Sequence, residues 1–195
     1  MASANPLNPD DSHQFDVVVM GGGAAGLFCA GAAGQRGCKV LVIDHWDKVA
    51  EKVRISGGGR ANFTNREVLP QNFISQNPHF CRSALARYTP AHFLELVQRY
   101  GLPFHEKHKG QLFFDRSAQD LIEMLLAECD KGGVTHWRPC KIQSVQADAV
   151  APSEGDDMVR KGYRLQTDRG TVRCHAVVVA TGGLSIPKIG ATDIG

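Results

Sequence analysis

A short apolar strand that runs directly into glycines constrains this chain more than any other feature. Residues 15–26 read Phe-Asp-Val-Val-Val-Met-Gly-Gly-Gly-Ala-Ala-Gly, and a second strand, residues 39–44, ends in Asp44. Strand, Gly-x-Gly-x-x-Gly turn, small-residue helix, strand and acid follow one another as in a nucleotide-binding βαβ unit. Each part has a physical task. Gly21 lets the chain turn off the strand, Gly23 leaves the backbone bare for a pyrophosphate, and Gly26 lets the helix lie close to the sheet. The helix start at Ala24 and Ala25 offers unpaired N–H groups and the positive end of the helix dipole to phosphates. Asp44 would accept hydrogen bonds from an adenosine ribose and repel a 2′-phosphate, which favours FAD or NAD over NADP. An ordinary strand-to-helix turn is the plain alternative. The alanines at 24, 25, 30, 32 and 33 weigh against it, because they suit a helix packed tightly on a nucleotide-binding sheet.

Two further glycine clusters narrow the ligand. Ser56-Gly57-Gly58-Gly59-Arg60 exposes bare N–H groups beside a guanidinium fork, a combination suited to an anion or a flat ring. A flexible surface loop is the alternative. An NAD dehydrogenase has no need of such a loop after its βαβ unit, whereas the longer FAD does. Residues 176–183, Ala-Val-Val-Val-Ala-Thr-Gly-Gly, read as a buried central strand whose end at Thr181 and Gly182 lets backbone pass close to a cofactor.

Other motifs fare worse. His105-Glu-Lys-His108 lies among Gly101, Pro103 and Gly110, so it reads as a turn rather than a zinc-binding helix, and no metal site is expected. The remaining histidines read as solvated surface groups. No Gly-x-Ser-x-Gly elbow and no phosphate-loop lysine motif occurs, and no catalytic acid or base can be named.

The rest of the chain supplies an α/β framework. Helices are expected at 24–36, 79–87, 90–100 and 118–129, the last capped by Ser117 with Asp120 at the capping-box position. Residues 46–65 read as a loop, with short strands at 102–104 and 111–114. A meander of strands is expected at 137–147, 163–167 and 171–174, separated by turns at 154–157 and 168–170. The fold class is a Rossmann-like α/β domain with a parallel central sheet, a three-stranded β-meander insertion and a helical excursion.

Composition sets the outer limits. Lysine plus arginine, 22, nearly balances aspartate plus glutamate, 20, which gives no electrostatic case for nucleic acid or an anionic membrane. A small-molecule substrate is expected, and oligomeric state stays open. The six cysteines form no C-x-x-C pair and read as reduced thiols. Residues 1–14 read as a disordered lead without signal-peptide character, which points to the cytoplasm.

Taken together, residues 21–27, 55–65 (Ile-Ser-Gly-Gly-Gly-Arg-Ala-Asn-Phe-Thr-Asn), 110–113 and 180–192 resemble the BaiN/YhiN flavoproteins. These are two-dinucleotide-binding-domain flavoproteins that include aminoacetone oxidases and bile-acid-intermediate reductases. The resemblance spans nearly all of 15–195. It implies FAD held by Gly21, Gly23, Ala25 and Gly26 at the pyrophosphate and Asp44 at the ribose. Lys52 and Gly58, Gly59 and Arg60 would lie along the pyrophosphate and flavin. Ile142 would meet the adenine through its backbone, and Thr181 and Gly182 would border the cofactor. The resemblance further implies hydride transfer between substrate and flavin, with NAD(P)H or oxygen as second partner. A non-catalytic FAD- or adenine-nucleotide-binding fragment and an NAD-dependent dehydrogenase module remain the alternatives. Ala61 stands where the family usually has cysteine, and the family continues well past residue 195, so residues 15–195 are expected to be an incomplete FAD-binding domain.

Overall fold

A computed structural model describes residues 12–150 and 160–183. In chain order its elements begin β1 (Ser12–Met20), α1 (Ala24–Gly34), β2 (Val40–Ile43), α2 (Glu51–Ile55), β3 (Asn62–Asn65), α3 (Arg82–Arg87) and α4 (Pro90–Arg99). They continue β4 (Phe104–Glu106), β5 (Gln111–Phe114), α5 (Ala118–Lys131), β6 (Thr135–Trp137), β7 (Ile142–Val150), β8 (Arg160–Thr167) and β9 (Gly170–Val179). The chain divides into two compact units, one of Met1–Glu51 with Leu125–Gly195, the other of Lys52–Met124.

The first unit is built on a six-stranded sheet in the order β6-β2-β1-β9-β8-β7. β6, β2, β1 and β9 are parallel, and β8 and β7 continue the sheet antiparallel. β1 and β2 are apolar because both faces of a central parallel strand are covered. Val18, Val19, Leu41, Val42 and Ile43 are accordingly buried. Phe15, Val18, Met20, Leu41, Ile43, Trp137, Cys140, Leu165, Val172 and Cys174 form one core cluster.

Helix α1 lies close to its neighbours because it is made of small residues. A Cβ on Gly26 would sit 1.9 Å from the Gly21 carbonyl oxygen, and one on Gly34 would sit 2.5 Å from that of Gly132. Gln35 caps the helix and Gly37, at φ 89°, turns the chain out of it, so α1 ends two residues before the expected Arg36.

Several expectations are corrected here. β1 starts at Ser12, inside the expected lead, because residues 12–15 pair with Thr171–Cys174. The expected strand at 137–147 is two strands, with β6 ending before the Arg138–Pro139 bond and β7 starting at Ile142. The last meander strand and the apolar strand after it are one continuous strand, β9. Its first half pairs with β8 and its length pairs with β1. The meander is thus the antiparallel wing of the main sheet. The end of β9 is covered less completely than its sequence suggests, with Val179 63% exposed. His13 and His136 are half-buried rather than solvated; His13 packs edge-on to Trp137 at 4.9 Å. The expected turn at 154–157 lies outside the described residues.

The second unit contains a three-stranded antiparallel sheet, β3-β5-β4, with α2, α3, α4 and the start of α5. Its core is aromatic: Phe63 stacks on Phe114 at 4.3 Å and meets Phe104 edge-on at 5.7 Å. The expected loop at 46–65 therefore holds a helical turn and a strand. Phe63, packed on the Phe104 and Phe114 rings, ties residues 62–65 to β5, with the register shifting between Asn62 and Thr64. Thr89 caps α4 by accepting from the His92 N–H, and Ser117 caps α5 by accepting from the Gln119 N–H. Asp120 takes the Arg116 guanidinium at 3.0 Å rather than closing a capping box.

Candidate functional site

Within the first unit the turn after β1 is fixed from two sides. The Gly21 N–H donates to Ile43 at 2.8 Å, and the Ala180 N–H donates to Met20 at 2.9 Å. Gly21 has φ 108°, and a Cβ there would lie 2.5 Å from the Ala180 carbonyl oxygen. Only glycine satisfies both the left-handed backbone and the close passage of the chain at 180–181.

Gly23 is different. It precedes α1 at an ordinary φ of −78°, and no atom lies within 4 Å of where its Cβ would stand. No side chain caps the helix and no acid occupies its first turn. Ala24 and Ala25 are exposed. The first N–H groups of a helix have no intrahelical acceptor, so bare donors at the positive end of the dipole face open space here. That space is the cradle a diphosphate requires, and the residues present fit one.

Asp44 stands beside this turn. Its Oδ2 accepts from the Gly22 N–H at 2.6 Å and its Oδ1 from the Trp46 N–H at 2.8 Å. Both carboxylate oxygens are held by backbone, and each keeps lone pairs for a further donor such as a ribose hydroxyl. Its own backbone joins the sheet edge, with the Asp44 N–H donating to Trp137 and the Cys140 N–H donating to Asp44 at 2.8 Å. Ile142 follows two residues later at the start of β7, half-buried against the core cluster. Thr181 is half-buried, and Gly182 is exposed with φ 77°.

Of the residues expected from sequence, Gly21, Gly23, Ala24, Ala25, Gly26, Asp44, Ile142, Thr181 and Gly182 belong to this first unit. Gly22 was missed. Its buried N–H anchors the acid, and a Cβ on it would stand 3.1 Å from Asp44 Oδ2. The signal was the middle glycine of an uninterrupted run of three.

Lys52 and Gly57, Gly58, Gly59 and Arg60 belong to the second unit. Lys52 is half-buried on α2. Gly57, Gly58 and Gly59 have φ of 58°, 68° and 85°, three successive left-handed residues that only glycine adopts cheaply. Their roles separate. A Cβ on Gly57 would stand 2.8 Å from both the Asn62 nitrogen and the Phe113 ring, so packing demands glycine there. At Gly58 and Gly59 nothing lies within 4 Å, so those two leave the turn open to an incoming group. Arg60 is exposed, and its carbonyl accepts from the Phe114 N–H at 3.0 Å, which ties the turn to β5.

Among the described residues no cluster of three potential metal ligands occurs, and no helix is long and apolar enough to cross a membrane. All six cysteines are free thiols. Burial pushes Cys129, Cys140 and Cys174 up to about 11, away from reactive thiolate character.

A family profile described as "HI0933-like protein Rossmann domain" matches residues 15–195. The chain is 47% identical over 182 residues to a protein of Escherichia coli named ribosomal RNA dihydrouridine synthase, covering 93% of this chain and 43% of that one. It is 44% identical over 184 residues to a Haemophilus influenzae protein of the same name, covering 94% and 44%. The chain thus spans less than half the length of these curated relatives. A Clostridium scindens protein named 3-dehydro-bile acid delta(4,6)-reductase is 24% identical over 181 residues, covering 91% of this chain and 41% of that one. Among solved structures, the 3-ketosteroid-delta4-(5alpha)-dehydrogenase of Rhodococcus jostii superposes with a TM-score of 0.59 at 18% identity. That match covers 88% of this chain and 46% of the other, a likeness of fold.

Proposed function

This chain belongs to the HI0933-like protein family, and we propose on that basis that it is the FAD-binding part of a flavin-dependent oxidoreductase acting on uracil in ribosomal RNA. The observation that carries the cofactor is the backbone-anchored Asp44 carboxylate beside the uncapped, glycine-led start of α1. Gly23, Ala24, Ala25 and Gly26 hold the diphosphate through their N–H groups, and Asp44 takes the ribose hydroxyls. Ile142 meets the adenine through its backbone, and Thr181 and Gly182 border the cofactor. Lys52, Gly58, Gly59 and Arg60 are proposed contacts of the diphosphate and flavin end. When bound, FAD supplies a ring that accepts and returns two electrons.

The substrate rests on the two relatives named for dihydrouridine in ribosomal RNA. Dihydrouridine carries two hydrogens more than uridine, so a reductant is required; we propose a reduced nicotinamide nucleotide. The test takes two steps. The purified chain is titrated with FAD and its visible spectrum recorded. It is then incubated anaerobically with NADH or NADPH and an unmodified ribosomal RNA fragment, and dihydrouridine is scored by mass spectrometry. A flavin spectrum that bleaches, with dihydrouridine formed, supports the reading. Flavin uptake without dihydrouridine leaves a binding fragment. A chain that takes up no FAD contradicts both.

A further inference from the structure

The near-neutral balance of the whole chain conceals an asymmetry. Residues 52–124 hold ten of its 22 lysines and arginines but six of its 20 acids. The second unit is therefore basic and the first slightly acidic. Three of those six acids are already matched: Glu106 by Arg66 at 2.8 Å, Asp120 by Arg116 at 3.0 Å, and Asp115 by His105 at 2.6 Å. Arg82 and Arg87 are exposed at the two ends of α3, with no carboxylate in ion-pair range among the described residues.

Large apolar side chains crowd the same stretch. Ile74 is 99% exposed, Phe80 83% and Phe73 47%, and Tyr88 is exposed beside Arg87. An open groove of about 320 Å³ runs through it, lined by Pro70, Phe73, Ile74, Pro78 and Arg82 among others. A bare apolar patch of this kind marks an interaction surface. Its interleaving with unpaired arginines selects the partner. Flat rings accept nucleobases by stacking, whatever the sequence, and guanidinium groups between them take the phosphates. We propose that residues 70–88 bind a single-stranded segment of RNA, bases on Phe73 and Phe80 and backbone on Arg82 and Arg87. The proposal deepens the ribosomal RNA reading above and rests on it for the choice of polyanion.

The experiment measures binding of a short, fluorescein-labelled, uridine-containing single-stranded RNA to the full chain over a range of salt. Phe73→Ala and Phe80→Ala should each weaken binding about tenfold with the salt slope unchanged. The double variant Arg82→Gln/Arg87→Gln should lower the slope of log K against log salt by about 1.4, at about 0.7 per phosphate contact on a single strand. Arg36→Gln, on the first unit, should leave the slope unchanged. Circular dichroism confirms folding of each variant. Affinities and slopes equal to wild type overturn the surface, as does an equal loss in the Arg36 variant. So does a wild-type dimer in light scattering that Phe80→Ala dissociates, which would make the patch a contact between copies. The dihydrouridine assay decides the substrate separately. RNA held at this surface by a chain that forms no dihydrouridine upholds the surface and leaves a binding fragment without turnover. Dihydrouridine formed by variants that bind as wild type upholds the substrate and removes the surface.

Discussion

Gly26→Ala sets two effects of opposite sign against each other. In an exposed helix, glycine to alanine stabilises by about 1 kcal/mol through helix propensity. At Gly26 the added methyl carbon would stand 1.9 Å from the Gly21 carbonyl oxygen and 3.3 Å from Val19 Cγ1. A relaxed carbon–oxygen contact lies at about 3.3 Å, so the start of α1 must move off the glycine turn by about 1.4 Å. The obstacle is backbone, which is held in turn by the Gly21 to Ile43 hydrogen bond. Overpacking of this kind costs about 1–3 kcal/mol and more where backbone must shift, which outweighs the propensity gain. We expect net destabilisation of about 2 kcal/mol, read as a lower urea midpoint with unchanged slope and a melting temperature about 4–8 °C lower. FAD affinity should fall as well, because the displaced N–H groups are the ones proposed to hold the diphosphate. Gly23→Ala is the control: nothing lies within 4 Å of its methyl, so stability should stay within about 0.5 kcal/mol while FAD affinity falls. A Gly26→Ala protein as stable as wild type would refute the close approach of α1 to the turn.

Other perturbations separate the remaining parts. Asp44→Ala removes the acceptor of two backbone N–H groups, so it should cost about 1–3 kcal/mol in urea unfolding and weaken FAD binding tenfold or more by fluorescence titration. Gly57→Ala should destabilise the chain in thermal unfolding, because its methyl meets the Asn62 nitrogen and the Phe113 ring. Gly58→Ala meets nothing, and only its left-handed φ of 68° opposes it, at about 1–2 kcal/mol. Burial lifts the thiols of Cys129, Cys140 and Cys174 from 9.0 to about 11. The unfolded chain therefore loses these protons first; the stability they add is complete below pH 9 and falls as pH rises toward 11. Urea midpoints should decline across that window, and maleimide should label Cys29, Cys38 and Cys81 before the buried three; early labelling of Cys129 would contradict the packing.

The glycine turn and its neighbouring acid were legible because glycine and a strand-end acid are local signals. The run Gly21 to Gly26 and the acid Asp44 name a turn, a helix start and an acceptor without reference to the rest of the chain. Ile142 was expected at the cofactor only by resemblance, since nothing in its neighbourhood marks such a contact, whereas the glycine pair after Thr181 marks a close passage of the backbone by itself. Strand boundaries failed where one strand serves two partners. In β9 the single polar residue His175, between the stretches expected at 171–174 and 176–183, hid a continuous strand whose N-terminal half belongs to the meander and whose length pairs with β1. The strand at 62–65 was hidden because glycines dominate what precedes it and its apolar content is the single Phe63, which acquires meaning only from the Phe104 and Phe114 rings. Charge is uneven along the chain in a way its total hides. A chain-wide sum averages a basic unit with an acidic one, and the division between them is a property of the fold.

The most direct test of the account is a crystal structure of the chain grown with FAD. It should show diphosphate oxygens within hydrogen-bond reach of the N–H groups of Ala24, Ala25 and Gly26, and ribose hydroxyls on the Asp44 carboxylate. FAD lodged elsewhere, or these N–H groups taken by the protein's own chain in its presence, would contradict it.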